Sequence, residues 1–374
     1  MPKGEPQKGA PEGDSKGDSR GDRKACPTEA DLAANAGPIA TPEQIALAAQ
    51  GLAQGRLVAF PTETVYGLGA DAENPAALAA LYAAKGRPAR HPVIVHLAPE
   101  TDPGYWATEL SRPARRLIEA FWPGPLTLIL PRAAYIPDTV SGGQPSIGLR
   151  CPSHPVAQAL LRAFAPLKAH GQGGVAAPSA NQFGQVSPTR AAHVRSEFPD
   201  QDEHALMILE GGASQVGIES TILDLSRLTQ GVPPTLLRPG HITALQLAQV
   251  LGELPALADA AAPRVSGSLK AHYAPHTPLR LCPRAGLLSL DARAAGGTVV
   301  AVVLGSAPGE APEGVQWRVV PDDPTVYARR LYALLRELDA AGHALIVLQQ
   351  PPHDSAWMGV NDRIGRAAAA FGPD

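Results

Sequence analysis

Short apolar runs closed off by proline or glycine alternate with helical segments from Thr41 onward, and this alternation constrains the fold more than any other feature. LVAF, HPVIVHLA, PLTLIL and SIGLR are too short for stable helices and apolar enough for strands covered on both faces. Between them, TPEQIALAAQGLAQG opens with a Thr cap and Pro at its first position and ends on Gly. NPAALAALYAAKGRP is stopped by Gly86 and Pro88, and SRPARRLIEAFW and HPVAQALLRAF are also helical. Strands interleaved with helices predict an α/β fold.

Downstream, GGVAAPSAN predicts a strand running into a polar loop, and SPTRAAHVRSEF a helix with Ser187 as N-cap and Pro188 in its first turn. Strands in ALMILEGG and STILDLS and a helix in ITALQLAQVLGEL complete a first domain over residues 39–255. Residues 256–277 read as a linker, because apolar periodicity lapses while Pro and Gly return. Residues 278–374 repeat the strand and helix pattern in PLRLC, TVVAVVLG, WRVVP and ALIVLQQ with two helices, which predicts a smaller open sheet. Residues 1–38, with GDSKGDSRGDRK, lack the apolar content to offset chain entropy and read as a disordered tail.

Two domains suit a chain of 374 residues that is 44% hydrophobic. A formal net charge of -3 argues against a dedicated nucleic-acid binder, so any anion site is local. Cys26, Cys151 and Cys282 are far apart with no CxxC pair, which fits a reducing cytoplasm and no zinc site. No apolar run is long enough to span a membrane.

The common catalytic signatures, among them the P-loop, HExxH and GxSxG, are missing. What remains are polar residues at strand ends and helix starts, where α/β sheets place ligands. Lys85 and Arg87 stand on a Gly and Pro bend, where they can clamp a phosphate or merely complement a helix dipole. His96, on an apolar strand, reads by itself as a structural histidine, and its pairing with His91 lacks metal spacing. Arg150 at the exit of SIGLR suits either a carboxylate ligand or a surface ion pair. Ser179, Asn181 and Ser187 offer donors beside a helix start, or turn and cap chemistry.

Taken together, PTETVYGLGADA, KGRPARHPVIVH, WPGPLTLIL, SIGLRCPSHP, APSANQFGQVSPT, VGIESTILD and LLRPG resemble the Sua5/YrdC/YwlC family of threonylcarbamoyl-adenylate synthases. The linker SGSLKAHYAPHTP and the domain after it resemble the long Sua5 branch. The resemblance implies a YrdC-like twisted mixed sheet with helices, followed by a smaller Rossmann-like α/β domain. It implies a nucleotidyltransferase that converts L-threonine, bicarbonate and ATP, with Mg²⁺, into threonylcarbamoyl-AMP and pyrophosphate. In the family the product passes to a tRNA threonylcarbamoyl transferase complex that makes N6-threonylcarbamoyladenosine beside the anticodon of tRNAs reading codons that begin with A. Weak binding of tRNA or double-stranded RNA is a further implication.

Carried over by motif, Thr64, His96, Arg150, Ala177 and Ser220 are expected to hold threonine, and Lys85 and Arg87 to be catalytic. Arg87, His91, Ser146, Ser179, Asn181, Ser187, Arg238 and Tyr273 are expected to surround ATP, with no protein-held metal. The chain departs from the family at His91, where Asn is frequent, and in the linker, where many relatives have Pro-Gly-Met before a basic residue. Two rival readings are an RNA-binding module and a hydrogenase-maturation carbamoyltransferase, the latter disfavoured by the cysteine count.

Overall fold

A computed structural model describes residues 39–202 and 205–372, so the expected N-terminal tail lies outside the described residues. The first domain opens with helix α1 (Pro42–Ala53), capped by Thr41 and Gln44 in a reciprocal capping box. It continues through β1 (Leu57–Phe60), β2 (Gly67–Asp71), α2 (Pro75–Ala84), β3 (Ile94–His96), α3 (Pro103–Trp106), α4 (Arg112–Phe121), β4 (Leu126–Pro131) and β5 (Ser146–Arg150). Then follow α5 (Pro155–Phe164), β6 (Val175–Ala176), α6 (Ala191–Glu197), β7 (Leu206–Ile208), β8 (Thr221–Asp224), β9 (Thr235–Arg238), α7 (Ala244–Leu251) and β10 (Ala256–Leu257).

These strands form one mixed ten-stranded sheet in the order β10-β9-β8-β4-β5-β3-β6-β2-β1-β7. Alternation along β1 shows why its strands are apolar throughout. Leu57 and Ala59 enter the core shared with α2, α4 and α7, whereas Val58 and Phe60 enter the opposite core against α1 and α5. Each large apolar side chain buried this way contributes on the order of 1.5–3 kcal/mol.

The second domain comprises β11 (Leu279–Cys282), β12 (Val299–Leu304), β13 (Val315–Val320), α8 (Pro324–Ala340), β14 (Leu345–Gln349) and α9 (Met358–Ala369). Its four strands pair in parallel in the order β11-β14-β12-β13. Its core is continuous with the first domain, since Val65, Val186, Ile218 and Tyr273 pack into the cluster around Leu331, Tyr332 and Ile364. No helix among the described residues is long and apolar enough to cross a membrane.

Three local expectations are corrected. Ala256 and Leu257 pair with β9, so the irregular connection between the domains begins after them rather than at residue 256. The predicted strands at HPVIVHLA and GGVAAPSAN shrink to Ile94–His96 and Val175–Ala176, and beyond the latter Ala177, Pro178 and Ser179 line a pocket. Ser187 does not cap a helix: α6 starts at Ala191 after Arg190, which supplies no side-chain cap, and Ser187 instead donates to Glu219. Because the helix starts four residues later, Ser187 is not positioned to accept from its free N–H groups, and its hydroxyl proton goes to the buried carboxylate.

Candidate active site

The pocket lies over β3, bordered by β5 on one side and by the loop after β6 on the other. Parallel pairing of β3 with β5 places His96 beside Arg150, and antiparallel pairing of β3 with β6 sets Val175 opposite His96. The loop after β1 folds back on this corner. Thr62 Oγ1 donates to the Val65 carbonyl at 2.6 Å and lies 2.9 Å from Thr64 Oγ1, so both threonines are locked and buried. Arg150 Nη1 donates to Thr64 Oγ1 at 2.9 Å, and its Nη2 lies 2.6 Å from Glu63 Oε1, off the line of a hydrogen bond.

His96 is buried, and burial, with the nearby Arg150 charge, holds its pKa down to about 3. It is therefore a neutral imidazole at pH 7, with Nδ1 3.3 Å from the Ile94 carbonyl. Ala177 borders the pocket through backbone held to Ile94 at 2.9 Å. Gly67 faces it, and a Cβ at Gly67 would lie 3.1 Å from the Ala177 methyl.

The opposite wall carries the cations. Arg87 extends from the bend after α2 along the face of Phe183, 5.7 Å from the ring centre. Its Nη2 donates to Pro92 O at 2.8 Å and Ser266 Oγ at 3.3 Å, and its buried Nε has no hydrogen-bond partner. Arg238 donates to Ser220 through Nε and Nη2, and through Nη1 to the Ser266 carbonyl at 2.8 Å. Burial lowers both guanidinium pKa values, that of Arg87 to about 10, which leaves both charged at pH 7. Two buried cations from separate elements thus converge on one serine.

Ser266 belongs to the segment between the domains, which crosses the pocket instead of spanning free space. Gly267, His272 and Tyr273 from the same segment also line it. Tyr273 adopts φ 63°, an uncommon backbone for a non-glycine residue, and its fully buried hydroxyl has no partner. Ala274 bridges to Gln185, fixing the segment to the loop before α6.

Of the residues singled out from sequence, Thr64, Arg87, His96, Arg150, Ala177, Ser179, Ser220, Arg238 and Tyr273 meet in this one pocket. The others surround it without lining it. Lys85 is buried, its ammonium donating to the carbonyls of Ser179 and Asn181, and burial beside Arg87 pushes its pKa well below the usual lysine value. Asn181 braces its own loop through Gln182 O and Gln185 O, with Oδ1 unpartnered. Ser187 serves Glu219, and His91 stands edge-on to Phe183. Ser146 lines an adjoining groove with Gln144, Val265 and Ser266.

Sequence reading missed Glu63, Glu219, Ser266, Gly267 and His272. A visible signal existed for the two acids: each is a carboxylate inside an otherwise uncharged motif, PTET or EST, and such residues are buried only when paired.

Comparison with known proteins is decisive here. Residues 50–240 match the Sua5_yciO_yrdC family model, described as telomere recombination. Residues 242–369 match the model of the threonylcarbamoyl-AMP synthase C-terminal domain. The chain belongs to the Sua5 family of threonylcarbamoyl-AMP synthases. A threonylcarbamoyl-AMP synthase of Pyrococcus abyssi is 34% identical over 87% of this chain and 94% of its own length. One from Bacillus subtilis is 41% identical over 64% of this chain and 66% of its own. The crystal structure of P. abyssi Sua5 complexed with L-threonine superposes with a TM-score of 0.76 at 32% identity, covering 88% of this chain and 95% of that one. The mixed sheet followed by a separate parallel sheet is thus the two-domain fold of that Sua5 structure.

Proposed function

We propose that the pocket condenses L-threonine, bicarbonate and ATP into threonylcarbamoyl-AMP and pyrophosphate. The observation that carries this reading is the convergence of Arg87 and Arg238 on Ser266, beside the corner formed by Thr64, His96, Arg150 and Ser220. The charge of the two guanidiniums suits a dianionic or more highly charged group, and the polar corner suits a small amino acid. The threonine complex of P. abyssi Sua5 supports assigning the corner to L-threonine.

In this reading the amine of threonine attacks the bicarbonate carbon: the N–C bond forms, a C–O bond of bicarbonate breaks, and the departing hydroxide takes the amine proton and leaves as water. One carbamate oxygen then attacks the α-phosphorus, and the bond to the β-phosphate oxygen breaks as pyrophosphate leaves. No protein nucleophile is required. Arg87 and Arg238 stabilise charge on the phosphates and on the leaving pyrophosphate. Neutral His96 adds no charge that would compete with them, and Arg150, held by Thr64 and Glu63, shapes the amino-acid corner. Lys85 acts through the Ser179–Asn181 loop whose carbonyls it holds. Ser266 occupies the convergence point, so the segment carrying it must shift for phosphates to reach both arginines.

The residues do not fit a protein-held divalent ion. No cluster of three metal-type side chains exists among the described residues, and Glu219, the carboxylate lining the pocket, is engaged by Ser187, Tyr332 and Arg363. Mg²⁺ would enter with the phosphates of ATP. Transfer of the product to a tRNA-modifying complex in the cytoplasm belongs to the same proposal. The test is threonine- and bicarbonate-dependent pyrophosphate release, with the adenylate product identified by mass. ATP binding without that product would reject the reaction.

A further inference from the structure

Arg363, on α9 of the C-terminal domain, is fully buried and reaches across the domain boundary. Its Nε donates to Glu219 Oε2 at 2.7 Å, Nη2 to the Glu219 carbonyl at 3.2 Å and Nη1 to the Pro239 carbonyl at 3.0 Å. The guanidinium carbon also sits 5.5 Å from the centre of the Tyr273 ring. Glu219 immediately precedes Ser220, and Pro239 immediately follows Arg238. One side chain therefore grips the two backbone segments that carry these pocket residues.

The charges around Glu219 give this contact a purpose beyond packing. Burial would raise the Glu219 carboxyl pKa, yet Arg363 and Arg238 hold it down at about 2. Ser187 donates to its Oε1 at 2.6 Å and Tyr332, on α8, to its Oε2 at 2.8 Å. Asp362 is occupied with Arg363 at 2.5 Å and Arg366 at 2.9 Å. Without Arg363, the remaining buried cation acting on Glu219 would be Arg238, and a buried carboxylate stripped of its partner captures whatever cation it can reach.

We propose that Arg363 is a positioning residue for the adenylation site: by pairing with Glu219 it keeps that carboxylate from drawing Arg238 away from the nucleotide phosphates. The C-terminal domain thereby completes the electrostatics of a pocket formed in the first domain. The inference rests on the nucleotide role of Arg238 argued above.

The experiment compares full-length wild type, Arg363→Met, Arg363→Lys and the double variant Glu219→Gln/Arg363→Met. Each is titrated calorimetrically with a non-hydrolysable ATP analogue, assayed for pyrophosphate release and melted thermally. Arg363→Met is expected to weaken analogue binding by about tenfold or more and to raise the ATP KM more than the threonine KM. Arg363→Lys, which keeps the charge but not the fork, falls between and guards against failure of the Met variant to fold. The double variant, with the Glu219 carboxylate neutralised, is expected to regain most of the lost affinity.

A purely structural role would lower the melting temperature without that rescue. Wild-type affinity in Arg363→Met, or a double variant no better than the single one, overturns the proposal. If wild type binds the analogue and the rescue appears but no threonylcarbamoyl adenylate forms, the positioning role stands and the reaction assignment fails. If wild type makes the adenylate and Arg363→Met keeps its ATP KM, only the positioning role fails.

Discussion

Arg238 holds Ser220 twice, donating from Nε to its carbonyl at 3.0 Å and from Nη2 to its hydroxyl at 3.1 Å. A cation proposed for the nucleotide thus orients a hydroxyl proposed for the amino acid, which couples the two subsites. Ser220 Oγ also lies 2.8 Å from Thr127 Oγ1, so its orientation is fully specified. Ser220→Ala should raise the threonine KM by roughly tenfold, the value of about one hydrogen bond, and raise the ATP KM less. Arg238→Ala should raise both. Steady-state kinetics with each substrate varied checks the asymmetry.

Arg87 and Lys85 should separate in their effects. Arg87→Ala removes a cation from the pocket wall and is expected to cost about 10²–10³ in kcat while the fold survives. Lys85→Ala should also abolish most adenylation, but it leaves the Ser179 and Asn181 carbonyls without their buried donor, so it should lower the melting temperature as well. Pyrophosphate release and thermal melts on both variants distinguish the roles. Near-wild-type turnover in both would count against the phosphate clamp.

Three histidines, two buried and one partly buried, make stability depend on pH. His96, His193 and His272 each have a pKa of about 3 in the fold against an ordinary 6.5, burial being the main cause. A folded-state pKa below the unfolded one means the unfolded chain binds more protons, so their contribution is full above pH 6.5 and is lost as pH falls towards 3. Glu219, at about 2 against 4.5, adds a further loss over that lower window. Between pH 6 and 4 each histidine should contribute about 1.4 kcal/mol per pH unit. Urea titrations across that range should show the slope, and His193→Gln, outside the pocket, should reduce it by one histidine's share.

Gly267 tests the segment that crosses the pocket. It has φ 73°, and an added Cβ would collide with the Tyr273 hydroxyl. Gly267→Ala should displace the segment and loosen closure over the nucleotide, raising the ATP KM, and the strained alanine should also lower the melting temperature. A variant with unchanged kinetics would show that Tyr273 and Ser266 do not act from this position.

The strand runs were legible because sheets covered on both faces need apolar residues throughout, as LVAF shows by sending alternate side chains into two cores. Caps were legible where the helix starts directly after the capping residue, as at Thr41, and misleading at Ser187, because the helix begins only at Ala191 and the serine hydroxyl serves a distant carboxylate. The pocket residues were ambiguous singly. His96 by itself looks structural, and its placement beside Arg150 depends on strand register that no short motif encodes. Arg363 was out of reach for the same reason: DRIGRAAAAF reads as a helix, but the partner that draws this arginine inward lies 144 residues earlier in the chain.

The most direct test of the central claim is to incubate the purified full chain with ATP, Mg²⁺ and L-threonine, with and without bicarbonate, and to identify the nucleotide product by mass. The structure predicts threonylcarbamoyl-AMP and stoichiometric pyrophosphate only when threonine and bicarbonate are both present. A bound nucleotide with no such adenylate, or an adenylate formed equally well without bicarbonate, would contradict it.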